Sequence, residues 1–255
     1  MYPRYQTSLA LDNAQIAALQ PVQADGAFFS GLACRLIVHI LRHGQSEGNA
    51  RNIYQGRLDF PLAVQGEVQA KVAGEWLASH RPALVLASPM VRARTTAAIV
   101  AERAGGVPVE FLESLIEVDT GIFSGIEAEA AAQTHPHIME KFAYASWDVV
   151  PEAESSASMY ARAILSWQEV RKRALACTDF REPLRIVVVT HGGLLQWLIR
   201  STLGVHSWLP LFPMSNCGIS TYSIEPLHHG RPAFAQWTAI NFHPPGMPKG
   251  PKPVF

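Results

Sequence analysis

Along this chain, short unbroken apolar runs alternate with stretches whose apolar positions recur every three to four residues. Residues 35–41, 83–87 and 184–190 read as strands buried on both faces, since a strand with one solvated face would alternate apolar and polar side chains. Shorter strands are expected at 109–112 and 218–224. Helical spacing predicts helices over 65–79, where Val68, Val72, Trp76 and Leu77 recur on one side, and over 91–104, 155–177 and 194–203. Arg81-Pro82 and Gly105-Gly106-Val107-Pro108 punctuate the series. Residues 1–30 read as an N-terminal extension with one short helix near Asn13–Leu19, and Ala27 to Cys34 as a lead-in to the first strand. Residues 31–240 read as one domain in which 125–150, alanine-rich and aromatic, form a cap, and 241–255 read as a proline-rich tail.

Strands that alternate with helices imply a layered α/β fold, a three-layer α/β/α sandwich on a mainly parallel sheet. At 255 residues, 48% hydrophobic and 16% charged, the chain is long and apolar enough for a full core. A formal net charge of zero argues against nucleic acid as partner, because that function needs a basic face. No apolar run reaches the length of a membrane span. The three cysteines, Cys34, Cys177 and Cys217, are unspaced for disulfides or zinc, so a reducing, cytoplasmic setting is expected. A homo-oligomer is compatible with all of this.

The candidate chemistry sits at strand ends, where open parallel sheets bind ligands. One strand runs into Arg42-His43-Gly44, a second into Ser88-Pro89-Met90-Val91-Arg92, a third into Thr190-His191-Gly192-Gly193. If the three are neighbours, two arginines and two histidines meet in one cleft. Arginine offers a planar fork of donors suited to phosphate oxygens, and histidine can serve as nucleophile or donor, so a phosphoryl group is the expected ligand. His135-Pro136-His137 and His228-His229 have no acidic or cysteine partners spaced for metal ligation, His206 reads as a structural or cleft-wall residue, and no metal or organic cofactor is expected.

In their order the motifs resemble the histidine phosphatase (phosphoglycerate mutase-like) superfamily. The resemblance lies in Arg42-His43-Gly44-Gln45-Ser46-Glu47-Gly48-Asn49, Gln55-Gly56-Arg57-Leu58-Asp59-Phe60-Pro61-Leu62, Gly66-Glu67-Val68-Gln69-Ala70, the Ser88 to Thr96 segment and Thr190-His191-Gly192-Gly193. It covers roughly residues 35–225. It implies a phosphoglycerate mutase-like fold and a two-step transfer. His43 would attack phosphorus to form a phosphohistidine, while Arg42, Arg92 and His191 stabilise the equatorial oxygens. By position Asn49 and the Gly192 amide match further phosphate contacts, and Gln55 and Gly56 approach the substrate. Glu117, in the segment Leu115 to Gly125, matches the acid that protonates the leaving group, with Asp119 as runner-up. Phe123-Ser124-Gly125 departs from the usual aromatic-Glu-Gly there. Glu154-Ser155 ahead of the long helix, with Arg162 on it, reads as helix capping.

A phosphoglycerate mutase must grip a small carboxylate, and in the resemblance basic side chains after the acid do so. Residues 125–150 offer one, Lys141, among Phe142, Tyr144 and Trp147. The expected function is therefore hydrolysis of small-molecule phosphomonoesters without a metal. The alternatives are mutase-type transfer and a domain that binds phosphorylated ligands without turning them over.

Overall fold

The computed structural model describes residues 2–177, 183–208, 212–226 and 233–250. Its elements, in chain order, are α1 (Asn13–Leu19), β1 (Leu36–Arg42), α2 (Glu47–Ala50), α3 (Val64–Ala78), β2 (Leu84–Ala87), α4 (Val91–Arg103), β3 (Val109–Phe111), α5 (Ala128–Thr134), α6 (Pro136–Ala145), α7 (Ser156–Leu175), β4 (Leu184–Thr190), α8 (Gly192–Leu203), β5 (Ile219–Glu225) and β6 (Phe234–Phe242). They build one six-stranded sheet in the order β3-β2-β4-β1-β5-β6. The pairs β2·β3, β2·β4 and β1·β4 are parallel, and β5 and β6 run antiparallel at one edge. This is the expected mainly parallel α/β fold. The three strands that end in candidate chemistry, β2, β4 and β1, are consecutive in the sheet.

The double-sided burial inferred from the apolar runs has a direct counterpart. On β4, Ile186 and Val188 face one core while Val187 and Val189 face the other, and β2 divides Leu86 from Val85 and Ala87 in the same way. The first core is filled by α7 and α8 through Trp167, Ile164, Trp197 and Leu198; the second by α3 and α4 through small side chains such as Ala70, Ala73, Ala93 and Ala97. Small residues let α3 and α4 lie close to the sheet and to each other.

Three features lie outside what the apolar pattern predicted. The stretch 125–150 is a pair of short helices, α5 and α6, followed by a 3-10 turn at Ser146–Val149. The strand β6 follows β5, and its alternating burial marks an edge strand with one covered face. Residues 2–30 are stitched to the rest: Phe29 is fully buried against Trp167, and the Ala24 amide donates to the Ser201 carbonyl at 2.8 Å. His228-His229 and residues 251–255 of the proline-rich tail lie outside the described residues. Among the described residues no helix is long and apolar enough to cross a membrane.

Trp167 anchors the larger core, 1% exposed, with its indole N–H donating to the Leu198 carbonyl and the Ser201 hydroxyl, each at 3.1 Å. Trp167→Ala should lower the unfolding free energy by about 3–5 kcal/mol in urea titrations; a loss under about 1 kcal/mol would mean that α7 and α8 do not pack through it.

Candidate active site

The expected strand ends converge. The His43 amide donates to the Thr190 carbonyl at 2.8 Å, and the Ser88 amide to the Val189 carbonyl at 3.0 Å, so the three strands leave the sheet tied together. Gly44 is required by close approach. A Cβ there would sit 2.3 Å from the carbonyl oxygen of Gly66 at the start of α3.

His43 is 1% exposed and its Nδ1 lies 2.7 Å from the Gly44 carbonyl oxygen. A carbonyl accepts only, so Nδ1 carries the proton and Nε2 presents its lone pair. Burial first, and then Arg92 and Arg42, hold the imidazole pKa well below 6.5, which keeps the ring neutral. Arg92 Nε donates to that Nε2 at 3.3 Å, and its two terminal nitrogens donate to the carbonyls of Gly56 (2.9 Å) and Leu58 (2.8 Å). Burial pulls the Arg92 pKa down to about 10, still leaving it charged at neutral pH. Arg42 spends one nitrogen on the Met214 carbonyl at 2.7 Å, and its buried Nε has no partner among the described residues. The His191 ring lies 5.1 Å from that of His43, with Nε2 bonded to the Ser88 hydroxyl at 2.8 Å and a buried Nδ1 that has no partner among the described residues. Burial, with Arg92 next, likewise depresses the His191 pKa.

Arg42, His43, Asn49, Gln55, Gly56, Arg92 and Glu117 line one cavity of about 10 Å³, room for a single water. The side-chain oxygens of Asn49 and Gln55 are committed, Asn49 Oδ1 to the Ser46 amide and Asn216 Nδ2, Gln55 Oε1 to the Ser46 hydroxyl. Their NH₂ groups are thus the ends able to donate into the cavity. Gly56 acts through its backbone, as its carbonyl aligns Arg92. Gly192 opens α8 against Arg42, where a Cβ would stand 3.4 Å from the guanidinium.

Glu117 and Asp119 part company here. Glu117, 5% exposed, lines the cavity, and its carboxylate accepts from the amides of Val118, Gly193 and Leu194 at 2.9–3.3 Å, against the positive end of α8. A side chain at Gly193 would displace it, since a Cβ there falls 2.6 Å from Oε1. Asp119 turns outward to Arg4 and Arg57.

Several residues shape the site through contacts the sequence reading did not identify. Asn216, ahead of β5, donates to the His43 carbonyl and to Asn49. Thr96 accepts from the Gly44 amide at 3.0 Å, and Asp59 caps α4 through the Val91 amide at 2.7 Å. Ser155 does cap α7, but Glu154 does something else: it pairs with Arg162 at 2.7 Å and Arg57 at 3.2 Å. Arg162 in turn donates to the carbonyls of Ser114, Ile116 and Glu117, fixing the backbone from which Glu117 projects. His206 stacks on Tyr160 at 4.1 Å, a structural contact. Among the described residues no group of three or more His, Cys, Asp or Glu is disposed to hold a metal.

A charged-arginine, neutral-histidine cluster at the carboxyl ends of parallel strands, in a phosphoglycerate mutase-like fold, defines a class of phosphate-handling site. The family model of the histidine phosphatase superfamily (branch 1) matches residues 38–239, and the chain belongs to that family. Among curated proteins it is similar to the probable phosphoglycerate mutase GpmB of Salmonella arizonae, 28% identical over 187 residues, 72% of this chain and 83% of the relative. Among solved structures it resembles a mycobacterial glucosyl-3-phosphoglycerate phosphatase in complex with VO3, at TM-score 0.71 and 28% identity, with 82% of this chain and 99% of the other covered. A phosphoglycerate mutase from Bacillus anthracis, 20% identical at TM-score 0.63 over 80% of this chain and 93% of that one, shares the fold.

The depressed pKa of His43 has a direct check. In ¹⁵N spectra its ring nitrogens should stay in the neutral, Nδ1-protonated pattern as pH falls through 6.5; a titration midpoint at 6.5 would contradict the account of its burial.

Proposed function

We propose that the chain is a phosphomonoester hydrolase that works through a phosphohistidine at His43 and needs no metal ion. One observation carries this reading: a neutral imidazole, tethered at Nδ1 by the Gly44 carbonyl, keeps an unprotonated Nε2, which accepts from Arg92 Nε at 3.3 Å, and lines a cavity shared with Arg42, Arg92 and Glu117. In the first half-reaction Nε2 attacks phosphorus in line and the ester oxygen departs. Arg42 and Arg92 neutralise the charge on the equatorial oxygens, the main source of stabilisation in phosphoryl transfer. His191 and the amide groups of Asn49 and Gln55 add donors to the same oxygens. Glu117 takes the proton carried in by the monoanionic ester and gives it to the leaving oxygen. It then takes one from the water that attacks the phosphohistidine, which releases phosphate and restores the imidazole.

Hydrolysis is favoured over transfer to a second substrate oxygen by the cap. Lys141 is exposed, while Phe142 and Trp147 pack with Tyr54 into the core, so the cap supplies no cationic grip for a compact carboxylate. The mutase reading keeps the support of the GpmB name borne by a relative, and the phosphatase reading that of the mycobacterial neighbour. We place the protein in the cytoplasm on its cysteine usage.

Hydrolysis of an aryl phosphate in excess EDTA, wild type beside His43→Ala, tests the reading. Turnover in chelator that disappears in the variant is expected. Activity in both would remove His43 as nucleophile, and inactivity in both would favour the mutase or a binding domain. Arg42→Ala, Arg92→Ala and His191→Ala should each lower kcat by about 10²–10³-fold; a variant at wild-type rate would take that residue out of the transition state. Glu117→Gln should impair an alkyl phosphate far more than a nitrophenyl phosphate, whose leaving group needs no proton. Equal losses on the two esters would count against Glu117 as the acid.

A further inference from the structure

Residues 2–7 join two loops that line the site, touching both on faces away from the cavity. With the loop 55–60 they form a short antiparallel bridge, Arg4 opposite Leu58: the Tyr5 amide donates to the Arg57 carbonyl at 2.7 Å, and the Asp59 amide to the Pro3 carbonyl at 2.9 Å. The Tyr2 ring rests 4.1 Å from that of Phe60. With the loop 113–120, Arg4 pairs with Asp119, and the hydroxyls of Tyr5 and Thr7 donate to the two carboxylate oxygens of Glu113. The first loop carries Gln55 and Gly56 and the carbonyls that align Arg92; the second carries Glu117. Where the loops meet they already touch, and a Cβ on Gly56 would stand 2.4 Å from the Thr120 hydroxyl.

Gln55 and Gly56 from the first loop and Glu117 and Thr120 from the second line the same cavity, so the spacing of the two loops bounds the room left for the ester group. One of these ties is readily released. The Arg4 side chain is 42% exposed, and a surface ion pair of that kind contributes little and is screened by salt. Arg4 also heads a ladder of alternating charge, Arg4 to Asp119 to Arg57 to Glu154 to Arg162, which ends on the carbonyls beneath Glu117. We propose that residues 2–7 are a specificity strap that limits the bulk of the ester group the site admits, with Arg4 as its positioning residue. The inference rests on the phosphomonoester reading for the chemical class of its ligand.

Binding of two non-hydrolysable ligands, phenylphosphonate and biphenylphosphonate, tests the strap without requiring turnover. The proteins are wild type, Arg4→Lys, and a triple variant (Arg4→Ala, Tyr5→Phe, Thr7→Ala), with amide exchange at Asp59 reporting strap release. Wild type should prefer the smaller ligand. The triple variant should reduce that preference at least about tenfold while Asp59 exchanges faster, and Arg4→Lys should retain it. An unchanged preference in a triple variant with faster Asp59 exchange overturns the proposal. So does exchange that is no faster, since these contacts would then not hold the strap. Wild type that binds both phosphonates yet hydrolyses no phosphomonoester defeats the hydrolase reading alone, while the ratio still decides the strap. Wild type that binds neither defeats both.

Discussion

Two guanidinium groups buried at the carboxyl ends of parallel strands impose the constraint from which the rest of the site follows. Arg42 and Arg92 are 4% and 1% exposed, and among the described residues neither pairs directly with a carboxylate. Their N–H groups are met by carbonyls, of Met214, Gly56 and Leu58, which hold geometry without cancelling charge. Uncompensated buried charge is costly, and the fold offsets it in two ways. The neighbouring histidines stay neutral, and the acid Glu117 sits within the field of both arginines. The remaining positive potential suits a dianion, and the same field that repels a proton from His43 keeps its Nε2 available to phosphorus.

Burial therefore acts twice in this site. It strengthens the arginines as electrostatic donors, because little water screens them, and it keeps neutral, as the proposed nucleophile must be, an imidazole that would be partly protonated near pH 6.5 in water. The Gly44 carbonyl settles which nitrogen carries the proton, and so which one the proposed attack would use. Asn216, Thr96 and Ser88 then fix the backbone and rings around that choice, so the chemistry of one side chain is held by residues from four separate segments.

Much of this was legible in the sequence, and the reasons for the rest are physical. The strands β1, β2 and β4 announced themselves because both their faces are buried, and Arg42, His43, Arg92 and His191 stood out because polar residues directly follow such runs. The short α1 was expected at Asn13–Leu19, and in the structure Asp12 closes its start by accepting from the Gln15 amide. By contrast β6 has only one covered face, and the cap folds as helices whose apolar side is set by contact with Tyr54 and Phe123. Asn216 and the pairing of Glu154 with Arg57 and Arg162 depend on contacts distant in sequence, which no spacing rule encodes. Glu117 could be separated from Asp119 only once the N–H groups of α8 were in place around it.

The central claim is that Nε2 of His43, and no other atom, takes the phosphoryl group. Acid-labile phosphate trapped during turnover, located by mass spectrometry and assigned to a ring nitrogen by ³¹P–¹⁵N correlation, tests it most directly. The account predicts a single phosphorylated residue, His43, substituted at Nε2 with Nδ1 still protonated. Phosphate on Nδ1, on His191, or on a carboxylate would contradict it.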